Sequence, residues 1–163
     1  MVEMTIGTAR TTWATDIFGK GGYCPCCDRF GKVYRTRISG VMAKALLWMA
    51  SKHEAEWVSM PERAPRWITR SNSFNKLKNW GLVTPLPMPN RIEDGQEKKS
   101  SGYWKVTRNG MRFAKGLIQV PKYVYLYNDA VIKVSTETVD IQDCFGKKFN
   151  YAEAMQEAWG KGY

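Results

Sequence analysis

Four cysteines and one histidine are the residues of this 163-residue chain best suited to metal or thiol chemistry. Three of the cysteines fall in Cys24-Pro25-Cys26-Cys27, where Cys24 and Cys27 stand at Cys-x-x-Cys spacing. A tight turn at that spacing aims two thiolates at one tetrahedral ion, which makes Cys24 and Cys27 candidate zinc ligands. Cys26 adds a third sulfur, but adjacent residues rarely both reach one metal. Cys144 and His53 are the other candidates, each distant in sequence and on an apolar-patterned segment. Three readings stay open: a zinc completed by a distant residue, a partner chain or Cys26; structural thiols without metal; and a redox pair. Thioredoxin-like redox chemistry wants the motif at a strand-to-helix junction beside a parallel sheet. Here the following residues alternate like a strand and no βαβ pattern appears.

Catalytic chemistry finds little else to use. A single histidine at the end of an apolar-faced helix is expected to be a capping or surface residue. The acids Glu54, Glu56, Glu93, Asp94 and Glu97 are scattered on exposed-patterned stretches, and no Gly-rich loop joins a strand to a helix to cradle phosphate. The expectation is a binding protein and not an enzyme.

Charge gives the binding reading its direction. Lys and Arg number 25 against 15 acids, a net charge of +10, and such self-repulsion suits a polyanionic partner. Between Met60 and Trp80 there are five basic residues and one acid, Glu62. Arg63, Arg66, Arg70, Asn72, Ser73, Asn75, Lys76 and Asn79 stand clear of the apolar positions there, and Arg and Asn carry the planar forks that match guanine and adenine edges. Arg91, Lys98 and Lys99 on a polar loop are candidate backbone contacts, opposed by Glu93, Asp94 and Glu97; Lys105, Arg108 and Arg112 flank the loop's base.

These side chains need elements to position them. Met1 to Gly22 carries few periodic apolar residues and reads as a tail, and Tyr23 to Arg37 as a short hairpin. Ser39 caps a helix to about Lys52 whose face is Val41, Met42, Ala45, Leu46 and Met49. Pro61 opens a short helix. A longer one spans Arg66 to Asn79, with Trp67, Phe74 and Leu77 on its core side, Ile68 near the edge of that side, Trp80 closing it and Gly81 as its cap. Leu82 to Pro89, rich in proline, is an edge strand, and Tyr103 to Val106 the returning strand. Thr107 caps a helix that Gly116 ends. Asn128-Asp129 turns a hairpin between Pro121–Tyr127 and Ala130–Val134, with Tyr123, Tyr125 and Tyr127 on one face. A short helix covers Asp140 to Phe145, and Asn150 with Glu153 opens a last helix through Trp159. Phe145, Phe149, Tyr151, Met155 and Trp159 are the expected apolar cover for the hairpin.

The order helix, short helix, helix, charged hairpin, helix over residues 39–116 resembles the winged-helix superfamily, of the MarR-like and PadR-like kind. The likeness is carried by Phe74-Asn75-Lys76-Leu77-Lys78-Asn79-Trp80-Gly81-Leu82-Val83 and Gly102-Tyr103-Trp104-Lys105-Val106-Thr107-Arg108-Asn109-Gly110. The proline-heavy first wing strand departs from the usual form. The cysteine run, preceded by Tyr23 and followed by Asp28-Arg29-Phe30-Gly31, resembles one knuckle of a zinc ribbon, whose second Cys-x-x-Cys this chain lacks. The expected fold is α+β: a tail (1–22), a cysteine-knuckle hairpin (23–38), a winged helix-turn-helix core (39–116) and a C-terminal hairpin-helix appendage (117–163). The resemblance implies double-stranded DNA as partner, a regulatory role, and the option of a homodimer reading two half-sites. A rival reading is a phage or mobile-element type of interaction protein that binds and inhibits a host protein or nucleoprotein complex. With no apolar run near the roughly 20 residues that span a bilayer, and no export-type start, no membrane partner is expected and the expected compartment is the cytoplasm.

Overall fold

The computed structural model describes residues 3–87, 92–93, 96–97, 101–146 and 151–160. The elements begin with α1 (Ile6–Phe18), β1 (Gly22–Tyr23), β2 (Phe30–Gly31), β3 (Tyr34–Thr36), α2 (Gly40–Lys52) and β4 (Val58–Ser59). Next come α3 (Met60–Arg63), α4 (Arg66–Ser71), a 3-10 helix (Phe74–Trp80), β5 (Val83–Pro85), β6 (Ile92–Glu93), β7 (Gln96–Glu97), β8 (Tyr103–Val106) and α5 (Arg108–Ala114). The last are β9 (Val120–Pro121), β10 (Val124–Tyr127), β11 (Ala130–Val134), β12 (Thr138–Val139), α6 (Ile141–Phe145) and α7 (Tyr151–Trp159). The class is α+β, with small antiparallel sheets. No helix among the described residues is long and apolar enough to cross a membrane.

The chain forms two compact units, which do not follow the linear segments expected from sequence. The first comprises Met1–Arg37 with Tyr123–Ser135, and the second Ile38–Lys122 with Thr136–Tyr163. Within the first, α1 replaces the expected tail. Thr5 caps it by accepting the Thr8 N–H at 3.1 Å, and Thr11 and Thr15 return their hydroxyls to the carbonyls four residues back. Those threonines dilute the apolar pattern, so the helix is faint in sequence, and of its residues only Ile17 is buried. Gly31 lies under the Trp13 indole, where a β-carbon would overlap the ring. The predicted hairpin after Asn128-Asp129 forms as β10–β11, both turn residues at positive φ. It belongs to this unit, however, because β10 also pairs with β3 to give the order β11-β10-β3.

The second unit is built on α2, capped by Ser39, whose hydroxyl accepts the Met42 N–H. Met42, Ala43, Ala45, Leu46, Leu47, Met49 and Ala50 are buried, a wider stripe than the one face predicted, while Val41 is exposed. They pack with Ile68, Phe74, Leu77, Leu82, Phe113 and Ile141 in one cluster. Phe145 and Met155 join this cluster, with Trp159 packed against it, and so serve the second unit's core and not the hairpin. A three-stranded antiparallel sheet in the order β4-β8-β5 lies alongside, with Val58 opposite Trp104 and Val83 opposite Val106. The proline-bearing strand β5 is an outer strand, as Pro85 requires. Thr107 caps α5 by accepting the Gly110 N–H at 3.0 Å and donates its own hydroxyl to the Gly81 carbonyl.

The helix predicted over Arg66 to Asn79 is broken. It ends at Ser71, Asn72 takes a left-handed φ of 47°, and a 3-10 helix resumes at Phe74. The cause is local: Ser71 bonds the Ile68 carbonyl and contacts the Ser73 hydroxyl, and Asn tolerates the left-handed cap. Ser-Asn-Ser is thus a helix stop that the apolar spacing conceals. Trp67, expected in the core, is 39% exposed, and Ile68 takes the buried place at 1%.

Candidate nucleic-acid interface

The exposed side of α3, α4 and the 3-10 helix gathers most of the residues singled out in sequence. Ile68, Phe74 and Leu77 anchor the segment from beneath. Trp80 closes it, donating its indole N–H to the Pro121 carbonyl at 2.8 Å. That anchoring leaves Arg63, Arg66, Arg70, Asn72 and Lys76 exposed, with Ser73, Asn75 and Asn79 half-buried. Lys78, which sequence reasoning did not place at the site, is exposed as well. The single acid of the stretch, Glu62, sits in the first turn of α3, where the helix N-terminus favours it.

The helical break sets the geometry. Six residues of α4 rise about 9 Å, and the left-handed Asn72 then turns the backbone so that Asn72 and Ser73 form a corner between two short helical pieces. Elsewhere on this unit cations sit over exposed indoles. Lys44 Nζ is 5.2 Å from the Trp67 ring centroid, and Lys105 Nζ is 4.8 Å from that of Trp57. Arg108 and Arg112 are exposed on α5. Arg91, Lys98 and Lys99 lie outside the described residues, as do Asp94 and the predicted cap Asn150; β6 and β7 pair as the backbone of the intervening hairpin.

In the first unit, the cysteine run turns the β1–β2 hairpin. Cys24 N–H donates to Arg29 O at 2.8 Å, Asp28 N–H donates to Cys24 O at 2.9 Å, and Asp28 has a φ of 61°. The Tyr23 and Phe30 rings meet edge to face at 5.5 Å across the strands. The backbone N–H groups of Cys26 and Cys27 point at the Cys24 sulfur and hold that thiol below its ordinary pKa. Cys26 and Cys27 are exposed and Cys24 is half-buried. Such a turn supplies two thiolates, half of a tetrahedral zinc site. Among the described residues no three His, Cys, Asp or Glu side chains converge to complete one. The hairpin setting also differs from the strand-to-helix junction that redox catalysis would use.

Cys144 and His53 belong to the second unit and serve its structure. Cys144 packs against the α2 core, its thiol 3.4 Å from the Asp140 carbonyl, and burial with the nearby Asp143 and Asp140 charges pushes its pKa up to about 12. His53 caps α2 through its backbone N–H to Met49 O, as its sequence position suggested. Its ring meets Trp48 edge-on at 4.8 Å, with Nδ1 3.5 Å from the Glu56 carboxylate outside hydrogen-bonding geometry.

No family model, curated protein or solved structure matches this chain.

Proposed function

We propose that the second unit is a winged helix that docks on double-stranded DNA in a regulatory, non-enzymatic role. The observation that supports the reading is the sheet order β4-β8-β5, with helix α2 preceding β4 and helices α3–α4 and the 3-10 segment joining β4 to β5. This puts a first strand, a helical pair and a two-stranded wing base into one module, the arrangement the winged-helix resemblance implies. The broken segment offers its exposed cations together with Asn72 at the corner. Asn72 suits a base edge, and Arg63, Arg66, Arg70, Lys76 and Lys78 suit phosphates.

The test is a titration against random-sequence duplex at two salt concentrations. If the five exposed cations of this segment each neutralise one phosphate, log K falls with log salt at a slope of about −4.5. Affinity then drops several hundredfold, as an order of magnitude, between about 50 and 200 mM salt. Absence of binding at the lower salt would refute the reading.

One observation favours a protein partner instead. A shallow groove lined by Lys44, Leu47, Trp48, Lys52, Trp67 and Ala158 presents apolar and aromatic surface on the same unit. Under that rival reading the chain inhibits a host protein, and Trp67→Ala would abolish partner capture while duplex affinity stayed negligible.

A further inference from the structure

The first unit carries a second cationic and aromatic surface, separate from the segment assigned to duplex DNA. Side chains alternate along β10, so Val124 is fully buried while Tyr123, Tyr125 and Tyr127 share the opposite face and are half-buried. The register places a cation on either side of the middle ring: Tyr125 is opposite Arg35 on β3 and opposite Lys133 on β11. Lys133 Nζ is 5.3 Å from the Tyr125 ring centroid, and the Arg35 guanidinium is 4.4 Å from that of Tyr123. At the outer edge of β3, Lys32 Nζ lies 5.4 Å from the Tyr34 ring. Beside that edge is a depression of about 470 Å³ whose lining includes Phe18, Lys32, Tyr34, Arg35 and Tyr125. On the Tyr125 face, tyrosine rings of β10 are thus flanked by a cation from each neighbouring strand, while Tyr34, in register with Leu126, belongs to the other face; β3, β10 and β11 contain no acid.

We propose that this face binds single-stranded nucleic acid, with bases on the tyrosine rings of β10 and phosphates at Arg35 and Lys133. Rings with flanking cations match a polymer that alternates flat bases with anionic phosphates. Tyrosines two residues apart along a strand are about 6.7 Å apart, twice the 3.4 Å step of a stacked strand. Bases would have to be unstacked and turned out onto successive rings, which in a duplex costs base pairing as well as stacking and in a single strand does not. That spacing selects the single strand. An acidic protein would satisfy the cations and leave the rings without a matching partner.

The probe is a fluorescent 20-nucleotide oligo-dT, titrated by anisotropy with the full chain at low salt. The wild type is expected to bind it. Arg35→Ala and Lys133→Ala, both conservative of the backbone, are each expected to weaken it several-fold and to flatten its salt dependence. Tyr125→Leu keeps the apolar bulk and removes the stacking face, with an expected loss of about tenfold, whereas Tyr125→Phe retains wild-type affinity. If Tyr125→Leu fails to fold, the two cation variants and Tyr125→Phe still decide the matter. Duplex affinity should be untouched by Arg35→Ala and Lys133→Ala, and oligo-dT affinity untouched by Arg70→Ala and Lys76→Ala. Failure of the duplex reading therefore leaves this one standing, and the reverse holds. Three results would overturn the proposal: no oligo-dT binding at low salt, binding unaffected by the Arg35 and Lys133 variants, or displacement by poly-glutamate as effective as by unlabelled oligo-dT.

Discussion

Gly110→Ala tests the packing that seats the proposed DNA-docking segment. Gly110 lies in α5 against the chain that leaves the 3-10 helix, and a β-carbon there would overlap the Leu82 carbonyl and come within 2.7 Å of Val106 Cγ1. The Val106 side chain has little freedom, and the Leu82 carbonyl is backbone that already accepts the Thr107 N–H at 3.0 Å. Relief requires α5 to move away from residues 81 and 82. That loosens the Thr107 contacts to Gly81 and Gly110 on the same joint. Overpacking of this kind costs roughly 1–3 kcal/mol, and each disturbed hydrogen bond about 1 kcal/mol. Replacing a helical glycine by alanine returns about 1 kcal/mol through helix propensity. The net expectation is a loss of about 3 kcal/mol, lowering Tm by roughly 10 °C in a domain of this size. Gly81→Ala is the control. Its φ is +71° and nothing lies within 4 Å of an added β-carbon, so it carries only the left-handed penalty of about 1 kcal/mol. Thermal unfolding followed by circular dichroism ranks the three proteins. A Gly110→Ala protein as stable as the wild type, or more stable than Gly81→Ala, would refute the close approach.

Other expectations follow from single contacts. The thiolate is the reactive form, so rising pH should speed alkylation of Cys24 first and of Cys144 last, the latter only as pH nears about 12. Mass-resolved iodoacetamide labelling at pH 8 should modify residues 24, 26 and 27 while leaving Cys144; early loss of the Cys144 thiol would contradict its burial. Trp80→Phe removes the 2.8 Å bond to Pro121 O and leaves that carbonyl without its indole donor, with an expected loss of about 1–2 kcal/mol by urea denaturation. With two thiolates in the β1–β2 turn, elemental analysis should find no tightly held zinc in the monomer; one zinc per two copies would show that partner knuckles complete the site, and one per monomer would contradict the two-ligand geometry.

The sequence made local features legible where one residue fixes the backbone. Ser39 and Thr107 cap the helices predicted for them, Asn128-Asp129 turns its hairpin, and Gly81 takes the left-handed position after Trp80. What it concealed has two physical origins. Side chains that compete for backbone partners blur periodicity, which hid α1 behind its threonines and the break at Asn72 behind a continuous apolar spacing. Pairing between distant strands leaves no local mark, so the union of β3 with β10 could not be anticipated from either segment. The exposure of Arg63, Arg66, Arg70 and Lys76 does not depend on the unbroken helix, because Ile68, Phe74 and Leu77 stay buried on either side of the break. The tyrosine face was visible as an alternation, but its cations became apparent only once Arg35 and Lys133 were in register with Tyr125.

The central claim is that the exposed face of α4 and the 3-10 helix meets DNA phosphates and bases. The most direct measurement is the salt dependence of duplex affinity for the wild type and for the double variant Arg70→Ala/Lys76→Ala. Each cation withdrawn from a phosphate should reduce the slope of log K against log salt by about 0.9, so the double variant should lose about 1.8 from the slope and at least about tenfold in affinity. An unchanged slope with unchanged affinity would contradict the account and leave this face merely solvated.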